Sequence, residues 1–126
     1  MKPLTSINYF FFLSTCSTCA RIMKECGITP KQFEMIDVKP KIAAQHLNLM
    51  RERADSYASL FSKAAVKYRA LGLHERELSE DEQRDYILQE YTFLRRPIAI
   101  IGDSIYIGNS KKNIEALAEA VKRMPK

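Results

Sequence analysis

Ile7-Asn8-Tyr9-Phe10-Phe11-Phe12-Leu13-Ser14-Thr15-Cys16-Ser17-Thr18-Cys19 is an apolar run that ends in a Cys-x-x-Cys pair. Ile7 to Leu13 is apolar on both faces, the pattern of a central strand buried between layers. From Thr18 to Cys26, Ala20, Met23 and the thiols recur at helical spacing, and Gly27 stops the helix as a C-cap residue. The pair therefore stands where a strand turns into a helix. A helix N-terminus carries unpaired N–H groups and about half a positive charge, so it favours a thiolate, the reactive form of cysteine. By position Cys16 caps the helix. A second thiol one turn on can attack a mixed disulfide and release the product. The stretch reads as redox chemistry.

Working outward, Phe33 to Val38 alternates as a second strand that Pro40 ends, so the chain opens with a right-handed β-α-β unit of parallel strands. Lys41 to Leu71 contains no Pro or Gly and is apolar at helical spacing, at Ile42, Leu47, Met50, Leu60, Phe61 and Tyr68 among others. It predicts two helices joined near Asp55-Ser56, because a single helix of about 30 residues exceeds the usual globular length. Leu71-Gly72-Leu73 breaks the pattern. Ser79-Glu80-Asp81-Glu82 is a capping box that opens a helix to about Tyr91. Ile98–Ile101 and Ser104–Ile107 flank Gly102-Asp103 as an antiparallel hairpin, and Ser110 caps a last amphipathic helix carrying Ile114, Leu117, Ala118 and Val121. The expectation is an α/β fold in a single domain, residues 1–126. A mixed four-stranded sheet is flanked by helices, with a helical insert at about 41–91 between the β-α-β unit and the hairpin.

A chain of 126 residues, 46% apolar and 28% charged, buries a core without disulfide staples. Three cysteines do not make a secreted disulfide framework, and a reducing cytoplasm is the expected home. The net charge of +5 is spread over short basic pairs interleaved with acids, which predicts a solvated basic surface and no direct nucleic-acid binding. The longest apolar run is too short to span a bilayer, and Asn8 interrupts it as a signal sequence, so no membrane is expected.

Other cysteine chemistry fits less well. A phosphatase loop needs five residues between cysteine and arginine, and Cys16 and Arg21 are separated by four. His46 and His74 lie on unrelated segments with no second Cys-x-x-Cys, so no metal site is expected. Cys26 is most simply a core thiol.

The element order, with Cys-x-x-Cys at the first strand–helix turn, is the plan of a thioredoxin-like domain. Together Cys16-Ser17-Thr18-Cys19, Tyr68-Arg69-Ala70-Leu71-Gly72-Leu73 and Leu94-Arg95-Arg96-Pro97-Ile98 resemble the arsenate reductase-like family, from about Ile7 to Val121. That family holds glutaredoxin-coupled arsenate reductases and Spx-type redox regulators of RNA polymerase. The resemblance implies a redox-active centre in which Cys16 is the nucleophile, Cys19 resolves by forming a disulfide with it, and Arg96 supplies a fixed charge. It places Ser17, Thr18, Arg21 and Pro97 against the substrate, with Pro97 a cis-proline. No bound cofactor is implied. Electrons would come from glutathione with glutaredoxin, or from thioredoxin, and the protein would be a monomer. In the Spx-type alternative the partner is RNA polymerase.

The chain departs from the arsenate reducers at four positions. Cys19 stands where they have a serine or similar small residue, and Ala20 where an arginine is common. Of three further arginines that would hold the oxyanion, Arg96 matches, while the others appear as Ser62-Lys63 and Gly108-Asn109-Ser110.

Overall fold

The aromatic run is the hub of the sheet in the computed structural model, which describes residues 8–124. Strand β1 (Tyr9–Phe12) pairs parallel with β2 (Glu34–Asp37) on one side and antiparallel with β3 (Ile98–Ile101) on the other. Strand β4 (Ser104–Ile107) completes the order β2-β1-β3-β4. Helix α1 (Ser17–Cys26) supplies the crossover between the two parallel strands, as a β-α-β unit requires. Both strands are shorter than the sequence suggests, because pairing register rather than apolarity sets where a ladder ends. Ile7 lies outside the described residues.

The chain divides into two compact units, Met1–Asp37 with Arg96–Lys126, and Val38–Arg95. In the sheet unit, Phe10 and Ala99 meet Ile22 and Cys26 of α1 and Leu117 of helix α6 (Lys111–Lys122). Phe12, Met35, Ile101 and Tyr106 join from the same face of the sheet. On the other face Tyr9, Phe11, Ile98 and Ile100 are buried too, so β1 and β3 are apolar throughout. Full burial of each large side chain contributes about 1.5–3 kcal/mol. Gly27 closes α1 with φ 73°, a left-handed conformation that lets its amide reach Lys24 O.

The hairpin forms where the sequence puts it, Ile98 opposite Ile107 and Ile101 opposite Ser104. Among the described residues no non-glycine has positive φ, so Gly102 alone (φ 59°) takes the left-handed position at the first central residue of the turn, as a type II′ turn demands. Ser110 caps α6 by accepting from the Asn113 amide at 3.2 Å.

The helical unit departs from the expected pair of long helices. Helix α2 (Ala44–Arg53) is followed by a one-turn α3 (Tyr57–Leu60) and a short α4 (Val66–Ala70). The break between α3 and α4 has a visible cause. Phe61 bridges Leu94 in β fashion, the Ser62 amide donates to Phe93 O at 2.6 Å, and Arg95 Nε donates to Phe61 O at 3.1 Å. Those partners lie far along the chain, and they take the backbone groups a helix would need. Helix α5 (Glu80–Gln89) opens on both halves of the capping box and gives way to a 3-10 turn at Tyr91–Phe93. Among the described residues no helix is long and apolar enough to cross a membrane.

Candidate functional site

Cys16 occupies the N-cap of α1 in extended backbone (φ −95°, ψ 113°), and its amide donates back to Leu13 O at 2.9 Å. The turn thus delivers the thiol from the end of β1 to the positive end of the helix. No acid sits in the first turn of α1, so its free amides are not neutralised. Sγ of Cys16 makes no hydrogen bond of full N-cap geometry, yet the amides of Cys19 and Thr18 act on it. Partial burial opposes ionisation of Cys16. The Cys19 amide, the Cys19 thiol, the Thr18 amide and the Arg96 guanidinium together outweigh that cost and hold the thiol below the usual cysteine value.

Cys19 lies one turn along, 2% exposed, and shares a hydrogen bond with Cys16. Burial, with the neighbouring Cys16, pushes its thiol up to about 11, against the lowering influence of the Leu13 backbone and of Arg96. Both thiols are free. The two cysteines are therefore unequal. One is partly exposed with its pKa lowered, the other is buried with its pKa raised.

Arg96 acts on both thiols, and its Nε and Nη1 are buried without a hydrogen-bond partner. Arg96 as a whole is half-buried, so its charge acts on the thiols at short range with little screening by solvent. The Arg96–Pro97 peptide bond is cis, and so is Lys39–Pro40. Pro97 is buried. Its carbonyl accepts from Gly108 N at 2.8 Å, and Gly108 O in turn accepts from Asn113 Nδ2 at 2.8 Å. Gly108 has φ 85°, a conformation that strains any other residue.

The structure thus brings Cys16, Thr18, Cys19 and Arg96 together, with Pro97 next in the chain. Ser17 is exposed at the first position of α1. Arg21 points to solvent and pairs with Glu25 at 3.7 Å, one turn further on. Two contributors had no sequence signal, Leu13 and Asn113, because the first acts through its backbone and the second through a loop carbonyl. Cys26 packs in the sheet-unit core with Sγ 3.7 Å from Ile114 O, and burial, then Glu25, raises its pKa. Among the described residues no group of three or more His, Cys, Asp or Glu side chains could hold a metal ion.

Residues 11–117 match the model of the ArsC family. The protein YusI of Bacillus subtilis (strain 168) is 24% identical over 110 residues, covering 84% of this chain and 93% of that one. Two solved structures share the fold. A possible arsenate reductase from Streptococcus mutans UA159 superposes with TM-score 0.65 at 24% identity, over 89% of this chain and 98% of that one. A putative ArsC family related protein from Bacteroides fragilis superposes with TM-score 0.70 at 17% identity, over 88% and 98%. The thioredoxin-like plan expected from the element order is the fold of these neighbours.

Proposed function

This chain belongs to the ArsC family, and from that premise we propose that it is a thiol–disulfide oxidoreductase working through Cys16 and Cys19. The Cys16 thiolate attacks one sulfur of a substrate disulfide or glutathione adduct, and the other sulfur leaves as a thiolate. Cys19 then loses its proton and attacks Cys16 Sγ. The bound sulfur leaves as a second thiolate, and the two electrons it carries are matched by the new Cys16–Cys19 disulfide. Glutathione with glutaredoxin, or thioredoxin, restores the dithiol.

The observation that carries this reading is the shared hydrogen bond between a partly exposed thiol whose pKa is lowered and a buried one whose pKa is raised. The order of attack follows. While Cys16 is a thiolate, its charge helps to hold Cys19 protonated. Once Cys16 is in a mixed disulfide that charge is gone; burial still raises the Cys19 pKa, but with the Cys16 contribution removed and Leu13 and Arg96 opposing it, the Cys19 thiolate forms more readily than before. The positive charge of Arg96 favours the anionic part of the substrate and the departing thiolate.

A thiol redox titration of wild type, Cys16→Ser and Cys19→Ser tests the proposal. The expected result is one intramolecular disulfide in wild type, absent from both variants, with a potential between about −200 and −300 mV. If no disulfide forms and only Cys16 takes up glutathione, Cys19 is not a resolving thiol and the two-cysteine mechanism fails.

The unpaired donors of Arg96 also support a second reading, a redox switch of the Spx type. Oxidation removes the thiolate whose charge faces the Arg96 guanidinium, leaving a cation with two unpartnered nitrogens and no anion beside it. Association with RNA polymerase in one redox state only is the outcome that reading requires. Arsenate is not the substrate we propose, since only Arg96 stands at a position matching the oxyanion-holding arginines. Arsenate-dependent NADPH oxidation with glutaredoxin present is expected to stay at the Cys16→Ser background.

A further inference from the structure

The hairpin register leaves a gap that one side chain fills. Ile98 stands opposite Ile107, so Pro97 and Gly108 are the next pair along the β3–β4 ladder. Antiparallel pairs alternate between those that exchange two backbone hydrogen bonds and those that exchange none. Ile101 and Ser104 close the two-residue turn as a bonded pair, and every second pair from there makes Pro97–Gly108 a bonded pair too. One of its two bonds is present, with Gly108 N donating to Pro97 O at 2.8 Å. The other cannot form, because proline has no N–H. The Gly108 carbonyl left over accepts instead from Asn113 Nδ2 at 2.8 Å. Asn113 thus supplies, from α6, the donor that Pro97 lacks.

The residue before Pro97 is Arg96, whose charge acts on both thiols. Its Nε and Nη1 have no hydrogen-bond partner, so bonds at those atoms do not hold the guanidinium in place. The backbone on either side must do so. Ahead of Arg96 the Arg95 amide donates to Leu60 O at 2.9 Å, and behind it stands the Pro97–Gly108 pair. That pair is closed by a single backbone bond at a glycine, the residue with most conformational freedom, and a second bond at the same glycine restrains it. Asn113 is itself fixed in the first turn of α6, where its amide donates to Ser110 Oγ at 3.2 Å.

We propose that Asn113 is a positioning residue for the thiol site: by completing the Pro97–Gly108 pair it fixes the strand end that carries Arg96, and so sets the reactivity of Cys16. This role rests on Cys16 being the reacting thiol and makes no demand on Cys19.

The test is the pH profile of Cys16 alkylation by iodoacetamide in the full chain, read at the Cys16 peptide by mass spectrometry. Asn113→Leu removes the donor from a side chain of similar shape, and Asn113→Ala, also without it, should behave alike. The Cys16 profile should move to higher pH, as in Arg96→Met but by less, with the rate at pH 7 down roughly twofold. In the Arg96→Met background Asn113→Leu should change nothing further, because its effect passes through that charge. Ala116→Gly, exposed on α6, weakens the helix without touching Gly108. It should lower the melting temperature and leave the Cys16 profile in place. An unshifted profile in the Asn113 variants, shifts of Asn113→Leu and Arg96→Met that simply add, or an equal shift in Ala116→Gly overturns the role. Alkylation needs no Cys16–Cys19 disulfide, so a failed redox titration and a failed positioning role are read separately.

Discussion

Arg96 Nε and Nη1 are buried with nothing to donate to, and its charge helps to lower the pKa of Cys16. The two facts make Arg96→Met informative, because stability and reactivity should move in opposite directions. Removing unpaired donors costs the fold little or stabilises it, whereas losing the charge raises the Cys16 pKa. Alkylation of Cys16 by iodoacetamide at pH 7 should slow several-fold while the melting temperature holds or rises. A melting temperature that falls with no change in alkylation would make Arg96 structural. Cys19 also supports the Cys16 thiolate through its thiol hydrogen bond. Cys19→Ala should therefore raise the alkylation midpoint of Cys16 more than Cys19→Ser does, since serine keeps a donor; equal midpoints would remove Cys19 from that role. At this scale the sequence exposed the Cys16–Cys19 spacing and the helix-end logic. Arg96 could be placed only by resemblance, since 79 residues of chain separate it from Cys16. Leu13 acts through backbone groups that residue identity does not advertise, and the Asn113 side chain acts on the carbonyl of Gly108, a partner that no motif names.

Some elements are written in local chemistry and some in distant chemistry. The hairpin, the capping box of α5 and the Ser110 cap of α6 were all legible, because a Gly-Asp turn and Ser N-caps act within four residues. The break at Phe61 was not, because its cause is the backbone of Phe93–Arg95 and nothing local forbids a helix there. Helix α3 shows the same dependence. Its first amides, Tyr57 and Ala58, donate to the Glu80 carboxylate at 2.7 and 3.1 Å, so α5 caps a helix other than itself. Glu80→Ala should destabilise the chain by about 1 kcal/mol, the usual worth of a cap. Hydrogen exchange should speed up at Tyr57 and Ala58 first; unchanged exchange there would show that Ser56 suffices as the cap.

Across the whole molecule the two site thiols tilt stability in opposite directions as pH changes. The folded Cys16 ionises below its ordinary value, so beneath that value the unfolded chain holds the extra proton and stability rises with pH. Cys19 keeps its proton to about 11 in the fold but loses it near 9 when unfolded, so between those values the folded chain holds the extra proton and stability falls as pH rises. Urea midpoints from pH 8 to 11 should drop more steeply for wild type than for Cys19→Ser, and parallel curves would contradict the burial of Cys19. The division of the chain carries a larger consequence. It leaves the sheet unit after Asp37 and rejoins it at Arg96, so Cys16, Cys19, Arg96 and Pro97 all lie outside the interruption. Adjacent arginines mark the seam. Arg95 binds the Leu60 and Phe61 carbonyls of the helical unit, while the charge of Arg96 serves the thiols. The insert is in effect a cassette spliced into a finished thiol site. A change in the length or sequence of the cassette need not disturb the thiol site, provided the cassette always hands the chain back one residue before that arginine.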